Sequence, residues 1–274
     1  MQKGSNGLLK RSAILPAILR FCTPAILLLT VACTPPGRSQ MTATAKDDWV
    51  RAYKLADRGE LNINNPRGSV DIQAVDGETV EVRVERIVHG VTEAAAREIL
   101  PRLQMVEDVT PEKVLVSGER LGGIVIGVVV DMHFHVRAPK SAIVRARTSG
   151  GDMTVKGFSG HVILNGSNGG LKAEGLRGGI ETRWVNGGVN IALASVGSEL
   201  VDVRVTNGPL NLVVPQTINA NLSATATNGR IEVKAPKFEA LGDQTSRRVR
   251  GRLNAGGVPI ELTTINGNIT VAGQ

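Results

Sequence analysis

The sequence predicts an all-β fold, a parallel β-solenoid rich in glycine and asparagine with coils of about 18–21 residues. The chain has 32 glycines and only 3% aromatic residues, which suits stacked strands joined by tight turns. The deciding observation is a repeat of a glycine, any residue and an apolar residue. Its first five copies are nine residues apart and the later ones 21 to 38 apart, so that two strand-and-turn units form one coil. The copies begin at Gly151, Gly160, Gly169, Gly178, Gly187, Gly208, Gly229 and Gly267.

Asparagine directly precedes the glycine in five of these copies. The Asn-Gly dipeptide readily adopts positive φ and can therefore turn the chain sharply at the end of a strand. Equivalent residues of stacked strands lie about 4.8 Å apart, so asparagines at one corner of successive coils can form an amide ladder. We therefore assign these glycines and asparagines a structural role in turns. The asparagines are Asn168, Asn186, Asn207, Asn228 and Asn266.

Local patterns assign three further segments of the domain. Residues 80–85 alternate between valine and charged residues and predict a strand. Residues 92–103 predict one short helix near the N-terminal part, because Thr92 is a suitable N-cap for the alanine-rich stretch that follows. The apolar run 124–130 is too short to span a bilayer and is predicted to be a strand buried on both faces, with a bend at Gly127.

The first 33 residues are typical of a bacterial lipoprotein signal. They contain four cations and no Asp or Glu, and the nearly apolar run 21–32 has the length of a signal-peptide h-region. Residues 30–33, Thr-Val-Ala-Cys, resemble the bacterial lipobox, although Leu is more usual than Thr at its first position. We therefore predict cleavage between Ala32 and Cys33 and lipidation of Cys33. The alternative is an uncleaved signal anchor.

These observations divide the chain into a signal peptide at 1–32, a flexible tether at 33–46 and a β-solenoid domain at 47–274. Loss of the signal would lower the net charge from +7 to +3, since 28 Lys and Arg would remain against 25 Asp and Glu. The charge therefore gives little indication of a nucleic-acid partner. Only one of the two cysteines would remain, so no internal disulfide is expected.

No cofactor or metal ion is predicted. Calcium-binding β-rolls also use glycine-rich nonapeptides, but they need an Asp in each repeat, and here Asp152 stands alone. His133 and His135 alternate on one strand face that Asp131 shares. No further ligand stands at a suitable spacing, so exposed strand histidines are the favoured interpretation.

A basic cluster lies in the segment after Leu241, which is predicted to be irregular. It could contact lipid phosphates or anionic glycans, but a solvated loop is the favoured interpretation. The sequence contains no nucleophile elbow, phosphate loop or paired-cysteine metal motif, and one Tyr and two Trp offer few surfaces for stacking sugars. We therefore predict no catalytic residues. The cluster comprises Arg247, Arg248, Arg250 and Arg252.

The domain resembles a known bacterial family. Residues 135–140 and 148–153 are similar to the opening of the putative-adhesin domain, also called the toastrack domain, and residues 251–257 and 264–269 are similar to its closing repeat. The resemblance covers residues 61–271. It implies a β-solenoid-like domain of bacterial envelope proteins, linked with adhesion or envelope stress and with no established enzymatic activity.

These features together predict a membrane-anchored envelope lipoprotein whose solenoid is a binding, adhesion or scaffold module and not an enzyme. The expected partners are the membrane, through the lipid, and an envelope protein or glycan. Because Thr34 follows Cys33, we expect delivery to the outer membrane, on its periplasmic or surface side. The alternatives are an envelope-stress accessory protein and, less favoured, a β-helix enzyme that acts on glycans.

Overall fold

The computed structural model describes residues 42–119, 127–235 and 237–274, which belong to one compact unit. They form a helix, α1 (Glu93–Ile99), continued by a 3-10 turn (Leu100–Arg102), and strands that make up two sheets. The strands are β1 (Ala43–Lys54), β2 (Glu60–Asn65), β3 (Val70–Val75), β4 (Thr79–Gly90), β5 (Met105–Thr110), β6 (Lys113–Gly118), β7 (Val128–Pro139), β8 (Ile143–Thr148), β9 (Met153–Lys156), β10 (Val162–Asn168), β11 (Leu171–Leu176), β12 (Ile180–Asn186), β13 (Val189–Leu193), β14 (Val201–Asn207), β15 (Leu210–Val214), β16 (Ala220–Asn228), β17 (Ile231–Lys234), β18 (Phe238–Ala240), β19 (Arg248–Leu253), β20 (Val258–Asn266) and β21 (Ile269–Gly273).

The prediction of an all-β parallel solenoid is confirmed. Sheet A has the strand order β1-β4-β7-β3-β9-β11-β13-β15-β21-β17, and sheet B the order β18-β19-β16-β20-β14-β12-β10-β8-β2-β6-β5. In the centre each coil contributes one strand to each sheet, and equivalent strands pair in parallel. Val162 pairs with Ile180 and Ile180 with Val201, so successive coils are 18 and 21 residues long.

The core lies between the two sheets and is filled mainly by aliphatic side chains. Alternate residues of each strand point inward, as in β10, where Val162 and Leu164 are fully buried. The largest buried side chains are Trp184, Phe134 and Phe158. The interior of the described solenoid is therefore a packed core, and a ligand would bind on its outer faces.

The coils do not stack in chain order throughout. The C-terminal strands β20 and β21 lie between the coil of β14 and β15 and the coil of β16 and β17. The last strands of the chain thus pair on both sides in both sheets. This arrangement places the C-terminus inside the stack and leaves β17 at the edge of sheet A.

Antiparallel strands close both ends of the solenoid. At one end β1, β4 and β7 form an antiparallel part of sheet A, and β5 pairs with β6 as a hairpin. At the other end β19 pairs antiparallel with β16 and β18. Strand β1 begins at Ala43, which lies inside the stretch 33–46 expected to be a tether. The strand forms there because residues 43–46 pair with residues 87–90 of β4.

The helix is present but shorter than the predicted 92–103. Thr92 is its N-cap, and its hydroxyl accepts a hydrogen bond from the backbone N–H of Ala95 at 3.2 Å. The 3-10 turn that follows contains Pro101, which has no backbone N–H to continue the α-helical ladder. Within the described residues no helix is both long and apolar enough to cross a membrane.

Two segment predictions require correction. Residues 120–126 lie outside the described residues, and the remainder of the apolar run 124–130 is not buried on both faces. Gly127 lies in a turn with φ of +75°, and the first residues of β7 are half-buried because they pair only with β4. The basic cluster is not irregular either, since Arg248–Leu253 forms strand β19. Val249 and Leu253 point inward, but Gly251 between them has no side chain, which weakened the alternation among the arginines.

Candidate binding surfaces

One corner of the solenoid is built from stacked glycines. They follow the strands of sheet B, and a Cβ added to any of them would overlap a backbone carbonyl oxygen of the adjacent coil. These glycines are Gly151, Gly169, Gly187, Gly208, Gly229 and Gly267. The first four have positive φ, between +117° and +147°. Gly160 and Gly178 lie at the opposite corner, where they meet backbone carbonyls of the neighbouring coil in the same way.

The five asparagines lie side by side at the glycine corner. Asn186 donates its side-chain amide to Asn168 at 2.9 Å, and Asn207 donates to Asn186 at 2.8 Å. Asn266 then donates to Asn207 at 2.7 Å, and Asn228 to Asn266 at 2.9 Å. The ladder follows the spatial order of the strands and not the order of the chain. Its amides are exposed but bonded to each other, so their role is to stabilise this corner of the solenoid.

Trp184 supports the same corner from inside. Its side chain is 1% exposed, and its indole N–H donates to the carbonyl of Gly169 at 2.7 Å. The ring occupies the space over Gly166, its partner on the adjacent strand, where any Cβ would overlap it. The turn residues predicted from the sequence do not include this pair. Gly166 stands at an inward-facing strand position one coil before Trp184, and this spacing was the sequence signal that could have indicated the pair.

The predicted lipidation site lies outside the described residues. This applies to Cys33 and to Ala32 at the predicted cleavage site. Their assignment therefore depends on the sequence alone.

The two histidines of β7, His133 and His135, differ in their contacts and exposure. His133 contacts the hydroxyl of Ser69 at 2.7 Å, whereas His135 is exposed and has no hydrogen bond to a described residue. Asp131 forms ion pairs with Arg67 at 2.6 Å and with His89 at 3.4 Å. In the described part of the chain, no three His, Cys, Asp or Glu side chains are arranged to hold a metal ion.

A histidine not identified from the sequence joins two coils and a loop. His161 Nε2 lies 3.2 Å from Glu181 Oε1, and His161 Nδ1 lies 3.1 Å from Glu199 Oε2. The backbone N–H of Gly179, which donates to Glu199 at 2.7 Å, and the imidazole together hold the pKa of the Glu199 carboxyl below its ordinary value. A neutral imidazole has a single N–H, so both contacts are hydrogen bonds only when His161 is protonated. The cluster therefore fastens the loop before β14.

The outer face of sheet B displays a regular row of polar side chains. Arg204 is paired with Asp202 at 3.0 Å, whereas Arg147 and Arg183 are exposed and form no ion pair with a described residue. Neighbours in the row lie one strand spacing apart, about 4.8 Å. The row could contact an extended partner along the solenoid axis. In spatial order it contains Arg147, Asn165, Arg183, Arg204, Thr263, Thr225 and Arg248.

No protein-family model matches this sequence, and no relative is found among curated proteins. Solved structures with a similar arrangement include a putative cell adhesion protein from Clostridium sporogenes, which is 10% identical. The match covers 84% of this chain and 100% of that one, with a TM-score of 0.47. A putative adhesin from Bacteroides fragilis is 11% identical over 83% of this chain and 98% of that one, with a TM-score of 0.44.

A putative adhesin from Parabacteroides merdae is 12% identical over 83% of this chain and 96% of that one, with a TM-score of 0.28. All three TM-scores lie below 0.5, so these structures assign no activity to the present chain. The fold assignment rests on the strand pairing described above.

Proposed function

We propose that this protein is a lipid-anchored envelope lipoprotein whose β-solenoid acts as a binding, adhesion or scaffold module and catalyses no reaction. The observation that carries the proposal is the structural role of the repeat residues. The glycines, asparagines and Trp184 hold the coils together, and the interior is filled by aliphatic side chains. What the described domain offers to a partner is therefore two broad outer sheet faces, such as the arginine-containing row of sheet B.

The membrane anchor is supported by the N-terminal sequence. The cationic start, the short apolar run and the lipobox-like tetrad that ends at Cys33 occur in the order that export and lipidation require. A single acyl chain binds membranes only marginally, at about 0.8 kcal/mol per buried CH₂, so lasting attachment needs more than one chain. Thr34 after the lipidated cysteine favours the outer membrane in a cell with two membranes.

Replacement of the predicted anchor residue should abolish lipidation. In cells fed an alkyne fatty acid, we expect the wild-type protein to be labelled and to sediment with the outer membrane. The Cys33→Ser variant should lose the label to background and remain at precursor size. The matched control is Cys22→Ser, which changes the only other cysteine and should keep the label. Equal labelling of wild type and Cys33→Ser would contradict the anchor.

The binding role is tested on the same material. The mature lipoprotein, immobilised from detergent, should retain outer-membrane vesicles, peptidoglycan or lipopolysaccharide in a saturable way. Absence of saturable retention of all three would contradict a binding module of the envelope.

A further inference from the structure

A groove crosses the four strands β1, β4, β7 and β3 at one end of sheet A. Its volume is about 460 Å³, which falls within the range of small-molecule sites. Its first row of side chains runs in register from Val50 through Arg83 and His135 to Asp71. Three strand spacings separate the ends of the row, so the groove is about 14 Å long. Its residues play no part in the glycine corner or in the asparagine ladder.

The second row of the groove runs parallel to the first and balances its charge. It contains Ala52, Glu81, Arg137 and Gln73 in register. Arg137 pairs with Glu81 at 3.2 Å. The rows together carry two carboxylates and two guanidinium groups, so a strongly charged ligand gains little from the site as a whole.

Neighbouring residues fix two polar groups of the first row, Arg83 near its Val50 end and Asp71 at its other end. Arg83 pairs with Asp48 at 3.0 Å, and its hydrogen bond holds the pKa of the Asp48 carboxyl below the ordinary value. At the other end, Gln73 donates to Asp71 Oδ2 at 3.2 Å. Arg83 and Asp71 are thus held in place before any ligand arrives, which lowers the entropic cost of binding.

Two polar groups of the groove have no partner among the described residues. Asp71 Oδ1 is enclosed and accepts no hydrogen bond, which is unfavourable for a buried acceptor. His135, directly opposite in register, makes no hydrogen bond to a described residue and has an exposed side chain that can change rotamer to admit a ligand. An acceptor without a donor therefore stands beside an imidazole that can donate.

We propose that this groove binds a neutral oligosaccharide. A sugar hydroxyl donates and accepts at once, so one hydroxyl can donate to Asp71 while it accepts from His135. Val50, 56% exposed, and Ala52 supply an aliphatic wall for the C–H faces of the sugar rings. This wall takes the place of Trp or Tyr platforms, which are not among the described residues that line the groove. The assignment deepens the proposed binding function and rests on it.

The chain has only four histidines, so ligand binding beside His135 can be followed through its imidazole signals. The mature lipoprotein in detergent is labelled with ¹⁵N-histidine and titrated with cellopentaose, chitopentaose and maltopentaose. We expect at least one of them to shift the imidazole signals of His135 saturably, with a Kd near 1 mM, while those of His161 stay in place. The Asp71→Asn variant should weaken that binding at least about tenfold, and Gln73→Ala should weaken it too. Lys172→Ala, two strands further along the same row, should bind as wild type does.

Three results would overturn the assignment. They are the absence of a His135 shift with every neutral pentasaccharide at about 10 mM, equal binding by Asp71→Asn and wild type, and tighter binding of penta-galacturonate than of any neutral sugar. If envelope material is still retained while no sugar binds, the ligand assignment fails and the binding module stands. If a sugar binds the groove but no envelope material is retained, the ligand assignment stands and the envelope-binding function fails.

Discussion

The Gly187→Val variant of the domain should be destabilised by at least about 2 kcal/mol. Gly187 has φ of +133°, a conformation that β-branched residues rarely adopt, and its Cβ would overlap the carbonyl oxygen of Gly169. That oxygen is already held by the indole N–H of Trp184, so it cannot move away without breaking a second contact. Urea melts followed by circular dichroism should show a lower midpoint, and the melting temperature should fall by about 4–8 °C.

Gly170→Ser is the matched control for this prediction. Gly170 is the variable middle residue of its repeat, and a Cβ there would lie 3.4 Å from the Asp152 carboxylate, an ordinary contact. Its backbone N–H would still donate to Asp152. We expect a cost well below 1 kcal/mol, in the range of most surface substitutions. Equal midpoints for Gly187→Val and Gly170→Ser would mean that the repeat register described above is wrong.

Trp184→Ala should be the most damaging single truncation in the core, at about 3–5 kcal/mol. The change removes the largest buried side chain, leaves a cavity over Gly166 and deprives the Gly169 carbonyl of its indole donor. Trp184→Phe should be intermediate, because it restores much of the volume but not the hydrogen bond.

Trp49→Ala is the matched control, since Trp49 is only partly buried on the edge strand β1 and lies under the guanidinium of Arg51. Thermal melts of the four proteins should rank wild type, Trp49→Ala, Trp184→Phe and Trp184→Ala in falling stability. A melt in which Trp49→Ala unfolds before Trp184→Ala would contradict the packing role given to Trp184.

The repeated unit could be predicted from the sequence because its signal is local. Asn-Gly followed by an apolar residue defines a turn and the start of a strand, and Thr92 defines the start of the helix. The stacking order could not be predicted in this way. Strands β14, β16 and β20 all end in Asn before a glycine, so their local patterns do not determine which of them are neighbours.

The candidate sites were harder to predict, because they depend on pairs that are distant in sequence. His161 meets Glu199 only because a loop returns to the corner beside Gly179. The groove brings Asp71 beside His135, 64 residues later, through pairing of β3 with β7. A single sequence contains no local pattern for either contact.

The most direct test of the solenoid is a disulfide scan across its non-sequential step. Residues 42–274 contain no cysteine, so a disulfide within this part of the chain can form only between the two introduced cysteines. Arg204 and Thr263 are register partners on adjacent strands, about 4.8 Å apart, which lies within the range for a disulfide. Thr225 lies one strand further, about 9.6 Å from Arg204, which is too far.

Mild oxidation should therefore link Arg204→Cys with Thr263→Cys nearly completely and leave Arg204→Cys with Thr225→Cys reduced. The readout is the mobility shift of each double variant on a non-reducing gel, confirmed by mass spectrometry of the linked peptides. A disulfide between positions 204 and 225, with none between 204 and 263, would show that the coils stack in chain order and would contradict the described topology.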